Sequence, residues 1–177
     1  TPGCLVDTNF LVAATYENHP FSEDAEFIFG KLAEYKIPIY STVTIRSEFL
    51  DVWRRIIITE ALMGMLAAGS DWQLTTQVIR ELKRHRAWID NQSKYDEMPL
   101  LSDRRIKECK EIFFPTRRSG KNGWIEICEH FLSGALDKAW YILRDELGIN
   151  HLDLTAPETK EFIHSKVERE KMTKISE

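Results

Sequence analysis

The sequence predicts an α/β fold, a three-layer α/β/α sandwich around a short parallel sheet with a helical and loop elaboration in the middle. Three observations carry that reading. Short apolar runs alternate with helical segments, the order that right-handed β–α–β crossovers produce. Several segments repeat apolar residues at i, i+3, i+4 and i+7, the period of a helix with one buried face. At 177 residues and 43% apolar, the chain has material for one ordinary core. The expected organisation is a single domain over 1–177, with an insertion at about 71–123.

Cys4-Leu5-Val6 is a strand that ends in Asp7, and Thr8 and Asn9 are cap-type residues ahead of a helix through Phe10–Ala14. Ser22-Glu23-Asp24 opens a second helix, carried by Ala25, Ile28, Phe29 and Leu32 up to Tyr35. Ile37–Tyr40 is a second strand. After Ser41-Thr42, the residues Ile45, Phe49, Val52, Trp53 and Ile56 lie along one stripe, and the apolar character runs on to Ala68 as one buried helix or a pair. Asp71–Ile89 is amphipathic on Leu74, Val78 and Leu82. From Asn91 to Gly123 the period fades around one short helix. The clearest stripe, Cys128 to Leu147, predicts a single long helix capped by Gly148. Ile149–Leu154 is a last strand, and Pro157–Lys174 a charged terminal helix.

Charge is unevenly placed. The chain has 24 Lys/Arg against 28 Asp/Glu, a net −4, yet the stretch from Arg80 to Lys121 holds 12 basic residues against 7 acidic ones. That +5 segment suits a phosphate-bearing partner: Arg84, Arg86, Arg104, Arg105, Arg117, Arg118 and Lys121 can grip RNA phosphates, with Trp88 and Trp124 nearby to stack bases. Solvated helix faces and core tryptophans are the ordinary alternative. No apolar run reaches the roughly 18 residues a membrane span needs, so no membrane partner is expected. Cys4, Cys109 and Cys128 form no zinc-type spacing and are expected as reduced thiols, and with no signal peptide the chain is expected in the cytoplasm. The apolar segment from Ile56 to Leu66 is either core or a face for a second copy or a protein partner.

Three acids stand in costly places. Asp7 closes an apolar strand at the carboxyl edge of a parallel sheet, where open α/β folds bind ligands. Glu48 lies three residues after Ile45 and four before Val52, beside the apolar stripe. Asp137 flanks the stripe of the last long helix, with Ser133 and Gly134 one turn earlier. Converging from three elements, they would offer oxygen-only ligation, which selects Mg²⁺ or Mn²⁺ and pairs with phosphate chemistry. Taken singly, Asp7 reads equally as a turn residue, Glu48 as a side chain reaching solvent and Asp137 as a solvated helix residue.

Leu5-Val6-Asp7-Thr8-Asn9 before an apolar helix resembles the opening of the PIN-domain nucleases, which include the VapC-type toxins. Ser41-Thr42-Val43 through Ser47-Glu48-Phe49-Leu50 is similar to that family's second motif, and Asp137-Lys138-Ala139 through Gly148 to its third, in family order. The resemblance covers the first sixty or so residues and the stretch from about Ser133, not the middle. It implies a metal-dependent endoribonuclease in which Asp7, Glu48 and Asp137 hold Mg²⁺ or Mn²⁺. Thr8 or Asn9 would then position a ligand or water by hydrogen bonds, and Asp153, or Glu158 behind it, would be a fourth acid. It also implies a cognate antitoxin as a protein partner. A catalytically inactive RNA-binding or scaffold module on the same fold is the alternative.

Overall fold

The computed structural model describes residues 3–68, 74–92, 100–113 and 123–152. The chain is a mixed α/β protein with a short three-stranded parallel sheet, and 74% of the described residues are helical. Helices therefore supply most of the packing. Strand β1 (Cys4–Leu5) leads into α1 (Thr8–Thr15) and α2 (Ser22–Glu34), then β2 (Ile39–Thr42). A 26-residue helix, α3 (Val43–Ala68), follows at once. The remaining elements are α4 (Thr76–Gln92), α5 (Asp103–Phe113), α6 (Gly123–Phe131), α7 (Ala135–Tyr141), a π-helical turn (Ile142–Glu146) and β3 (Asn150–Leu152).

In the sheet β2 is central, pairing parallel with β1 (Cys4 with Ile39) on one side and β3 (Ser41 with His151) on the other. Parallel strands need long crossovers. The first is made by α1 and α2, the second by everything from α3 to the π-helical turn.

Two hydrophobic clusters form among the described residues. The first packs α1, α2, the amino-terminal half of α3 and α7 around the sheet, with Leu11, Phe49, Ile56 and Leu143 fully buried. Trp53 ties it together: its Nε1 donates to Thr15 Oγ1 at 3.2 Å, and its ring meets Tyr16 and Phe49 edge-on. Among the described residues, the second cluster draws on no strand. It gathers Ile58, Leu62 and Met65 from the far half of α3 with Val78, Leu82, Ile106 and Ile127 from α4, α5 and α6. At about 1.5 Å per residue, α3 is about 39 Å long, enough to serve both clusters. Ile56, Ile58, Leu62 and Met65 are thus core, and do not offer a face to a second copy.

Several elements differ from the sequence expectation. The predicted single helix over Cys128–Leu147 is interrupted: Gly134 takes φ +73° ahead of α7, and the helix beyond widens into the π-helical turn, where Leu147 N–H donates to Ile142 O. The apolar stripe is continuous across this break because both pieces pack inward, which is why its period hid the interruption. Asp7, rather than Thr8 or Asn9, caps α1. Of the two alternatives for the apolar stretch up to Ala68, one helix or a pair, the structure has the single helix α3, and β2 starts two residues later than expected. The terminal helix expected over Pro157–Lys174 lies outside the described residues.

No helix among the described residues is long and apolar enough to cross a membrane. Helix α3 has the length, but Arg46, Glu48, Asp51, Arg54, Arg55 and Glu60 interrupt its hydropathy. All three cysteines are free thiols, and burial pushes the Cys109 thiol up to about 12.

Candidate active site

Two adjacent parallel strands end side by side, and each hands its chain directly to a helix. At the end of β1, Asp7 adopts an extended conformation and its Oδ1 accepts a 2.8 Å hydrogen bond from Phe10 N–H. That capping bond satisfies one orphan donor of α1 and fixes the carboxylate at the strand's end. At the end of β2, Thr42 Oγ1 accepts from Ile45 N–H at 3.3 Å, starting α3 so that Glu48 falls in its second turn. Thr8 closes the gap between the two elements, its hydroxyl donating to Glu48 Oε2 at 2.7 Å.

Asp7, Thr8, Asn9, Ser47, Glu48 and Asp51 line one open cavity of about 720 Å³, with Ile45 and Val52 completing its wall. Asp7 and Glu48 are solvent-exposed. The expectation of a carboxylate pressed against the core is therefore corrected for Glu48: the neighbouring Phe49 is fully buried, and Glu48 turns to the cavity mouth. In exposed positions neither acid needs a bound cation to offset desolvation.

Asp51 and Ser47 were not singled out from sequence, although Asp51 stands one helical turn after Glu48. Asp51 is charge-paired, with Arg54 Nη2 at 2.8 Å from its Oδ1 and at 2.7 Å from Asp103 Oδ1 on α5. The Arg54 guanidinium is held above its ordinary value. Partial burial opposes its charge, and the hydrogen bonds and negative charge of Asp51 and Asp103 outweigh that cost.

Asp137 is exposed in the first turn of α7 and is not among the residues lining the cavity. Its helix is anchored by the next turn, where Ala139 and Trp140 are buried and Arg46 of α3 lies over the Trp140 ring at 4.5 Å. Asp153 and Glu158 lie outside the described residues, as do Arg117, Arg118 and Lys121. Among the described residues, no group of three His, Cys, Asp or Glu side chains is placed to hold a metal ion.

The donor chemistry of Asp7 and Glu48 nevertheless suits a hard cation. Each carboxylate spends one oxygen on the protein and keeps a second for a ligand. Mg²⁺ commonly takes one or two carboxylates and completes its shell with water and substrate phosphate.

Of the basic residues, Arg84 pairs with Glu81 and Glu108, and Arg86 with Asp90. Trp124 is buried in the second cluster, the ordinary reading for it, whereas Trp88 is half-buried. Compared with protein-family models, with curated proteins and with solved structures, the chain matches none.

Proposed function

We propose that the chain is a metal-dependent endoribonuclease of the PIN-domain type, hydrolysing RNA phosphodiester bonds with a metal-activated water. The observation that carries this reading is the Thr8–Glu48 hydrogen bond. It joins the carboxyl ends of two neighbouring parallel strands and sets Asp7 and Glu48 on one cavity. On this reading the full domain completes a three-layer α/β/α sandwich.

Asp7 and Glu48 would hold Mg²⁺ or Mn²⁺, with Asp137 and Asp153 as the further acids that the resemblance implies. Bound there, such a cation lowers the pKa of a water and neutralises charge on the phosphodiester. The chain's own part is placement. Asp7 is fixed by its cap, and Thr8 restrains the Glu48 side chain, so both oxygens are set before substrate arrives. Asn9 and Ser47 add polar groups at the rim for orienting a water or phosphate oxygen. An antitoxin partner and work in the cytoplasm belong to the same proposal.

A second reading is an inactive RNA-binding module on the same scaffold. It is favoured by one specific observation, that Asp137 is not among the residues lining the Asp7–Glu48 cavity.

The test is incubation of total cellular RNA with the purified protein in Mg²⁺, in Mn²⁺ and in EDTA, beside Asp7→Asn. Discrete metal-dependent fragments that vanish with the variant are expected. Intact RNA in both metals, from folded protein free of a copurified inhibitor, would turn the assignment to the second reading.

A further inference from the structure

We infer that the face between α4 and α5 is a binding site for single-stranded RNA, separate from the Asp7–Glu48 cavity. The inference rests on the ribonuclease reading only for the identity of the polymer. An open cavity of about 540 Å³ lies there, lined by Arg84, Trp88, Ser102, Arg104, Arg105 and Glu108. Its size is in the range that holds a nucleotide-sized ligand. Three guanidiniums thus face one concavity, and guanidinium forks match phosphate oxygens two at a time.

The side chains are pre-arranged. Arg105 lies over the Trp88 ring at 4.5 Å, and its Nη1 is 3.2 Å from Nδ1 of His85. His85 is fully buried, so this guanidinium is pinned from behind by a rigid group. Glu108 accepts from Arg84 at 3.2 Å and from Arg104 at 3.3 Å, holding these two exposed side chains over the cavity. Counting Glu81, which pairs with Arg84 at 2.9 Å from outside the lining, two carboxylates stand against three guanidiniums, and the balance at the cavity stays positive. The wider field agrees: α4 and α5 carry eight Lys/Arg against five Asp/Glu, in a chain whose net charge is −4. A polyanion is drawn to this face and repelled by the remainder. Arg105, lying over the half-buried Trp88 ring and lining the cavity, favours RNA over an acidic peptide, because a base can stack on a planar guanidinium and a carboxylate cannot.

The experiment is fluorescence anisotropy with a labelled single-stranded oligouridylate of about twelve nucleotides, in EDTA so that binding is read apart from cleavage. Arg84→Ala with Arg104→Ala removes two exposed cations, while Lys31→Ala with Arg144→Ala removes two exposed cations elsewhere. The first pair is expected to weaken binding about tenfold or more and to reduce the salt slope by about 1.4, at about 0.7 per phosphate contact on a single strand. The second pair should leave both unchanged. Equal losses in the two pairs, or none in either, overturn the site, and polyglutamate competing as well as RNA overturns the choice of polymer. Binding that behaves as expected from a protein that cuts nothing in Mg²⁺ or Mn²⁺ removes the ribonuclease reading and leaves this site standing. Cleavage with no difference between the two pairs does the reverse.

Discussion

Thr8 Oγ1 donates a 2.7 Å hydrogen bond to Glu48 Oε2 across 40 residues of sequence. It directly couples the end of β1 to α3 at the cavity. If Glu48 is a metal ligand, Thr8 acts as its positioning residue, and loss of such a partner typically costs 10–100-fold in metal affinity or activity. Thr8→Ala should fall in that range and Thr8→Ser, which keeps the donor, should recover most of it. Mn²⁺ titration followed by cleavage rate measures both. Equal rates in Thr8→Ala and the parent would show that this bond has no part in the reaction.

Asp7 has two separable roles, capping α1 and offering a carboxylate to the cavity. Asn keeps the capping oxygen, so Asp7→Asn should abolish cleavage at nearly unchanged melting temperature. Asp7→Ala should in addition lose about 0.5–2 kcal/mol of stability. Thermal melts of the three proteins beside their cleavage rates resolve the two roles, and a cleaving Asp7→Asn would remove Asp7 from the site.

Thr59, on α3, answers the backbone of a buried segment that has no ladder of its own. Its Oγ1 donates to Arg55 O at 2.7 Å and accepts from Leu101 N–H at 3.1 Å, while Arg55 Nε donates to Leu101 O at 3.2 Å. Leu101 is fully buried, so Thr59→Val strands its N–H away from water. The expected cost is about 1–3 kcal/mol by urea unfolding, large for a near-isosteric change. Unchanged stability would mean that water reaches Leu101.

His85 makes the helical half of the molecule sensitive to acid. Burial lowers its pKa below the ordinary 6.5, and the positive charges of Arg105 and Arg84 lower it further, against an opposing pull from Glu108 and Glu81. Below about pH 6.5 the unfolded chain takes up this proton and the folded chain does not, so stability should fall as the pH drops from 6.5. His19, lowered by its own burial, adds to the same trend. His85→Gln should flatten part of the pH dependence of the melting temperature between pH 7 and 5, even if it lowers the melting temperature throughout. A parallel-shifted curve of the same shape would exclude His85 as a source.

Strand ends and helix faces were legible because they follow local rules. The apolar Cys4-Leu5-Val6 run closing on Asp7, and the stripe of Ile45, Phe49, Val52, Trp53 and Ile56, specify a strand and a helix whatever surrounds them. Asp7 and Glu48 therefore stood out before any coordinates. The interruption at Gly134 was present in the letters, but the helical period on both sides concealed it.

The sequence by itself determined the mixed α/β class and the parallel order of short strands and helices, and it singled out Asp7 and Glu48 together with Asp137, which is not among the residues lining their cavity. Tertiary structure alone decided the rest, because it turns on which distant residues meet. Nothing local says that Glu48 faces solvent while Phe49 fills the core, or that Arg54 spends its charge between Asp51 and Asp103. Nothing local says that Arg105 is pinned between Trp88 and a buried His85, or that α3 runs far enough to found a second core built mostly from helices. Periodicity reports which face of a segment is apolar; the partner of that face, and so every site formed between segments, is fixed only when the segments pack.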